Sequence, residues 1–186
     1  LAFNACVEFH PAMTAQDRAN RALWNERAAI HARGSSRYPI QRLLGRRPPW
    51  WSPLPDDLGS LKGKSLLHLQ CHIGMDSLGW ASRGARVTGI DFAAEAVAAA
   101  TSLSRRSGIP ATFIRSDVNA LPRILRRRFD IVATTYGVLC WLPDLDRWAR
   151  TVRRFVKPRG FLYLAEIHPA FDMLELEASN PASVVF

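Results

Sequence analysis

From Ser65 onward the chain alternates short apolar runs with stretches of helical period. The runs are SLLHLQ (65 to 70), RVTGID (86 to 91), ATFIR (111 to 115), FDIVATTY (129 to 136) and GFLYLAEIH (160 to 168). Rich in Leu, Ile, Val, Phe and Thr, they read as strands buried on both faces. Between them stand GMDSLGWASRG, AAEAVAAATSLSRRSG, a short NALPRILRR and PDLDRWARTVRRFV. In the last of these, Leu142, Leu145, Trp148, Val152 and Phe155 recur at helical spacing, and KPRG predicts the helix end. Strand, helix and strand in repeated succession predict a parallel sheet with right-handed crossovers and helices on both faces. That is a doubly wound, Rossmann-like α/β fold.

Ahead of this core, TAQDRANRALWNERAAIHAR (14 to 33) predicts a helix that opens on a capping box, Thr14 with Asp17. GSSRYPIQRLLGRRPPWWSPLPDDLGS follows, rich in Pro and Gly and carrying Trp50 and Trp51, and reads as an irregular segment that is either a lid or a packed loop. MTAQDRAN, from Met13, reads as a start, so residues 1 to 12 are expected to lie outside the native fold. The expected organisation is therefore an N-terminal helix and cover over 13 to 60 and a core over 61 to 186. ASNPASVVF, near the end, reads as the approach to another strand.

At 186 residues and 48% hydrophobic, the chain can bury one substantial core. No apolar run approaches the ~18 residues of a membrane span, and the opening LAFNACVEFHPA lacks the parts of a secretory signal, so a cytoplasmic protein is expected. Cys6, Cys71 and Cys140 are scattered and lack CxxC spacing, which favours reduced thiols and gives no metal site. Lys and Arg exceed Asp and Glu by 25 to 16, a bias that invites a nucleic-acid partner. The basic clusters LSRRSG, RILRRRF and TVRRF, however, each fall near the end of a predicted helix, where cations complement the dipole and solvate the surface. That placement disfavours nucleic acid.

Ligands of open parallel sheets sit outside the carboxyl ends of the strands. The residues there are Gln70, Cys71, His72, Ile73 and Gly74 after the first run, Asp91 and Phe92 after the second, and Ser116, Asp117 and Val118 after the third. Tyr136 and Gly137 follow the fourth, and Glu166, His168 and Pro169 the fifth. Asp91 lies 21 positions beyond Gln70, the separation at which an acid grips ribose hydroxyls in nucleotide-binding βαβ units. It is equally placed to cap the helix of FAAEAVAAA. Phe92 offers an apolar face to an adenine ring or joins the core, and Asp117 accepts from an adenine amino group or shapes a turn.

The segments LKGKSLLHLQCHIGMDSLGWASRGARVTGIDFAAEAV, FIRSDVNALP and FDIVATTYGVLCWLPDLDRWARTVRRFVKPRGFLYLAEIHP together resemble the class I S-adenosylmethionine-dependent methyltransferases, and within them a bacterial subset with LQCH in the first loop. The resemblance runs from about Asn20 to Pro169. It implies S-adenosyl-L-methionine as cofactor, held by Gln70, Cys71, His72 and Gly74 beneath its methionine part, by Asp91 at the ribose, and by Phe92, Asp117 and Val118 at the adenine. Tyr136 and Gly137 would lie near the sulfonium. Gln70 and His72 depart from the common loop, which has an acid and a glycine nearby, so Gln70 or Asp76 is expected to hold the methionine amino group. The family sheet ends in two further strands, which this chain is expected to lack.

Methyl transfer from a sulfonium needs positioning first, and a base only when the acceptor carries a proton. Glu166 and His168 are the candidate bases, with Tyr136 as an orienting hydroxyl; the alternative is that Glu166 and His168 solvate the strand end. The expected activity is methyl transfer to a small molecule. The alternative is a catalytically idle binder of the cofactor or an interaction protein. An RNA or DNA methyltransferase is a weaker reading still, and an NAD-dependent enzyme the weakest, because Gln70, Cys71 and His72 block the glycine fingerprint of a pyrophosphate loop.

Overall fold

The computed structural model describes residues 14–34, 38–45 and 58–167. Cys6, Trp50, Trp51, His168 and the ends at 1–12 and 168–186 lie outside the described residues, as do the expectations placed on them.

The apolar runs form a parallel sheet of five strands: β1 (Ser65–Leu69), β2 (Arg86–Asp91), β3 (Thr112–Arg115), β4 (Phe129–Thr135) and β5 (Val156–Ala165), in the order β3-β2-β1-β4-β5. Helices α3 (Met75–Ser82), α4 (Ala94–Ser107), the single turn α5 (Leu121–Ile124) and α6 (Leu145–Phe155) connect them. Leu66, on one face of β1, packs in a cluster with Leu78 and Trp80 of α3 and Leu103 of α4. Leu67 and Leu69, on the other face, meet Leu121 of α5 and Trp148, Val152 and Phe155 of α6. Two layers of helix thus bury both faces of β1, as its unbroken apolar run requires.

Two further helices precede the sheet. Helix α1 (Ala15–His31) opens on the expected capping box: Thr14 Oγ1 accepts from the Asp17 amide, and Asp17 accepts in return from the Thr14 amide at 2.9 Å. Its Ala28 is buried against the α3 and α4 side of the core. Helix α2 (Ile40–Leu44) lies inside the segment expected to be irregular, and buries Ile40 and Leu43. Five residues were too few for a period to stand out beside the neighbouring Pro and Gly.

The fifth strand begins earlier than its apolar run. Val156 caps α6 in an extended conformation (φ −77°, ψ 130°), so Lys157, Pro158, Arg159 and Gly160 belong to β5 instead of to a loop. The extra residues are absorbed by a register shift, in which Phe129 pairs with Val156 but Ile131 with Phe161. Gly160 is required at this bulge, because a Cβ there would stand 2.6 Å from the Asp130 carbonyl oxygen. Asp130 also accepts from the Ser65 amide at 2.8 Å and from Lys157 Nζ at 3.0 Å, joining β1, β4 and β5 at their amino end.

Candidate active site

The chain runs outward from β1 through β2 to β3, then crosses back to place β4 on the other side of β1. This reversal opens the sheet between the carboxyl ends of β1 and β4, the position at which such sheets bind ligands. Gln70 follows β1 there and Tyr136 follows β4. The two, with His72, are the non-glycine residues with left-handed backbone among those described (φ 49°, 56° and 49°). Such conformations cost about 1 kcal/mol or more each, and they collect where function constrains the backbone.

The first loop is built by packing from beneath. Its Cys71 amide donates to the Ile90 carbonyl at 2.9 Å, and the buried Cys71 thiol turns down against Gly89. Burial, aided by Asp91, raises the pKa of that thiol well above its ordinary value. Gly74 caps α3 with φ 77°, and a Cβ on it would meet the Phe113 ring at 2.8 Å. Both the left-handed turn and the close approach therefore demand glycine. The Gln70 side chain differs from its neighbours: Nε2 and Oε1 are both buried with no partner among the described residues. Buried amides are nearly always satisfied, which makes this one a candidate ligand contact.

Asp91 is not the cap residue of α4. The cap of α4 is Ala93, whose amide donates to Asp91 Oδ1 at 2.9 Å, while Oδ2 accepts from the His72 amide at 2.8 Å. The buried carboxylate thus ties the first loop to the start of α4, with lone pairs left for further donors. Its pKa is raised by burial, against the opposing pull of the Ala93, His72 and Phe92 amides. Beyond it, Arg21 of α1 stands over the Phe92 ring (5.5 Å to the centroid) and 3.4 Å from Asp117 Oδ2. Asp117 also accepts from the Asn119 amide at 2.8 Å, and the Val118 side chain enters the core on the α5 side.

Between β1 and β4 lies a polar chain of which the sequence singled out only Asp76. Asp76, buried in the first turn of α3, accepts from Thr135 Oγ1 at 2.5 Å. Thr135 meets His68 Nε2 at 3.1 Å, and His68 Nδ1 meets Ser77 Oγ at 2.8 Å. Burial pushes Asp76 up to about 7 and His68 down to about 3. Asp76 Oδ1 is left with no partner among the described residues. A histidine inside an otherwise apolar run was the available signal for this chain.

At the mouth of β4 and β5, the carboxylate of Glu166, a candidate base, accepts from three backbone amides. Its Oε2 accepts from the Gly137 amide at 2.7 Å, and its Oε1 from the Val138 and Leu139 amides, both at 2.9 Å. These bonds tie it to the segment after Tyr136. The Tyr136 amide donates to the Ala165 carbonyl at 2.7 Å, and its side chain is 39% exposed at the opening.

Above the first loop, α1 lays an aromatic cover. The Nε2 of His72 lies 2.8 Å from His31 Nδ1, while Trp24 and Tyr38 meet its ring edge-on. Burial, with His31 and Arg27 nearby, lowers the His72 pKa to about 4. Trp24 also meets Trp141, and the Arg27 guanidinium stands over both indoles.

Residues 67–164 match the methyltransferase domain family. The chain belongs to that family. It is 34% identical over 113 residues to a ubiquinone biosynthesis O-methyltransferase of Pseudomonas putida, an alignment covering 61% of this chain and 48% of that protein. With the counterpart from Proteus mirabilis it shares 33% over 108 residues, 58% and 44% of the two chains. The methyltransferase domain therefore spans about half the length of the relatives it matches. Among solved structures, one described as a DhpI-SAH complex superposes with a TM-score of 0.59 at 21% identity, over 83% of this chain and 70% of that one. Another, described as converting a disulfide bond into a thioacetal group during echinomycin biosynthesis, gives 0.54 at 27% identity over 75% and 59%.

Proposed function

We propose that this methyltransferase domain binds S-adenosyl-L-methionine and transfers its methyl group to a small-molecule acceptor. One observation carries the reading: near the carboxyl ends of β1 and β4, a buried acceptor on Asp76 and a buried donor and acceptor on Gln70 lack partners among the described residues. An α-ammonium with its α-carboxylate has the complementary donors and acceptors. Asp91, Phe92 and Asp117 line the neighbouring strand ends, for a ribose and an adenine. Relatives described as O-methyltransferases, and neighbours described as holding SAH, support the same assignment.

The cofactor supplies a methyl group on a positively charged sulphur with an activated leaving group. The chain's work is then to bind and orient. Gln70 and Asp76 hold the methionine end, and the aromatic cover of Trp24, His72 and Trp141 excludes water. Glu166, through the amides of Gly137, Val138 and Leu139, sets the height of Tyr136, whose hydroxyl orients the acceptor. His168 remains the candidate base. Cys71, His72, Gly74, Val118 and Gly137 contribute chiefly through backbone and packing.

Within the proposed N-terminal unit, 13 to 60, the described helices α1 and α2 pack on a core that begins at 61. The excess positive charge serves solvation: the last turns of α4 and α6 carry Arg105 and Arg106, and Arg153 and Arg154. No described helix is long and apolar enough to cross a membrane. We assign the protein to the cytoplasm. Incubation with isotopically labelled methyl donor and a panel of phenolic, amine and carboxylate acceptors tests the activity. Label transferred to an acceptor supports it; donor binding without transfer to any of them favours an idle binder.

A further inference from the structure

The chain Ser77–His68–Thr135–Asp76 is buried, runs between strands, and has one free end. Its members come from three elements: Ser77 and Asp76 from α3, His68 from β1, Thr135 from the end of β4. The β1/β4 register pairs His68 with Ala133, so Gln70, just past the end of β1, and Thr135, the last residue of β4, both stand at the carboxyl edge. Asp76 Oδ1 and the Gln70 amide, both without a partner among the described residues, therefore lie toward the same carboxyl edge of β1 and β4.

We propose that His68, Thr135 and Ser77 are positioning residues that hold the Asp76 carboxyl to receive the α-ammonium of the cofactor's methionine portion, and that binding makes Asp76 release a proton to solvent. This rests on the cofactor assignment above and adds to it.

Hydrogen counting along the chain gives the reason. Thr135 has one hydroxyl hydrogen. When Asp76 is ionised, that hydrogen goes to Oδ2, so Thr135 must accept from a protonated Nε2 of His68, and Nδ1 accepts from Ser77. When Asp76 is protonated and donates to Thr135, every bond reverses, and His68 carries its hydrogen on Nδ1. The neutral imidazole satisfies both states, and burial keeps it neutral. The Asp76 charge can therefore change without leaving an unpaired group in the chain. Around Asp76, the titratable groups are His68 on β1 and Cys71 in the loop, with Thr135 on β4 and Ser77 on its own helix as neutral partners. No cation pairs with it among the described residues, and burial dominates its titration. The ammonium of the ligand would be the missing cation.

The test is calorimetric titration of the whole chain at pH 5.5 to 8.5 with two ligands, S-adenosylhomocysteine and 5′-methylthioadenosine, which lacks the amino-acid end. The homocysteine ligand should bind about tenfold more tightly for each pH unit up to about 7, then level off, as one linked proton requires. The thioadenosine ligand should show a flat profile. Thr135→Val removes the hydrogen that stabilises the carboxylate, so its profile should move to higher pH; Thr135→Ser should restore it. Imidazole 15N shifts should show the His68 hydrogen on Nε2 in the bound state. A flat profile for S-adenosylhomocysteine, or equal slopes for the two ligands, overturns the proposal while leaving the adenosyl site standing. Failure of both ligands to bind at any pH overturns the cofactor assignment, and this inference with it.

Discussion

The Arg21 guanidinium lies 3.4 Å from the Asp117 carboxylate. It also stands over Phe92, so a side chain of α1 fills the interval between the two residues assigned to the adenine. An exposed pair of this kind contributes only about 0 to 1 kcal/mol, small enough for a ligand to displace. Arg21→Ala should therefore tighten S-adenosylhomocysteine about two- to fivefold at low salt, with the gain fading as salt rises. Titration at two salt concentrations checks this. Tenfold weaker binding would instead make Arg21 a ligand contact.

Glu166 holds three successive amides with one carboxylate. Glu166→Gln can keep only part of that set, so it should destabilise the fold by about 1 to 3 kcal/mol, the cost of stranding charge-assisted bonds. Urea denaturation measures the change. An unaltered midpoint combined with lost methyl transfer would return Glu166 to the role of base.

Asp76 is raised by burial to about 7, against 3.8 for the free group. The folded chain therefore holds a proton that the unfolded chain releases between about pH 4 and 7. Across that window this group subtracts stability as pH rises, and the full cost is present above 7. Asp76→Asn should then stabilise the ligand-free chain by about 1 to 3 kcal/mol at pH 8 and by little at pH 4, while it abolishes the preference for S-adenosylhomocysteine over 5′-methylthioadenosine. Denaturation at the two pH values tests the first half. A destabilised variant at pH 8 would contradict the burial of an unpaired carboxyl.

His68 and His72 work in the opposite direction. Both are lowered by burial, to about 3 and about 4, from an ordinary 6.5. The unfolded chain takes up protons on both as pH falls below 6.5, while the folded chain resists. Their contribution is complete above 6.5 and is lost progressively toward 4 for His72 and toward 3 for His68. His72→Asn should flatten the fall in stability between pH 6.5 and 4.5, and an equally steep fall in that variant would count against a neutral, buried His72.

The alternation of strands and helices was legible because a sheet covered on both faces needs apolar residues at nearly every position of its central strands, and such runs stand out. The capping box at Thr14 and Asp17 is local for the same reason that it was readable: both partners lie within one turn. What the sequence hid were relationships between distant positions. Thr135 is 67 residues from His68, and His31 is 41 residues from His72, so neither bond leaves a local spacing to detect. Glu166 was visible as an acid at a strand end, but its partners are backbone amides, which every residue possesses. The early start of β5 was hidden because Lys157, Pro158 and Gly160 carry the composition of a loop, whereas pairing with β4 through a bulge overrides it.

The central claim is that the carboxyl edge of this sheet holds one adenosyl group with Asp91 at its ribose. Calorimetric titration of S-adenosylhomocysteine into the wild-type chain and into Asp91→Ala, with circular dichroism to confirm that both are folded, tests it most directly. The account predicts binding to the wild type that the substitution weakens by about 1 to 3 kcal/mol, the cost of leaving buried hydroxyls unpaired. Equal affinity in two folded proteins would contradict it.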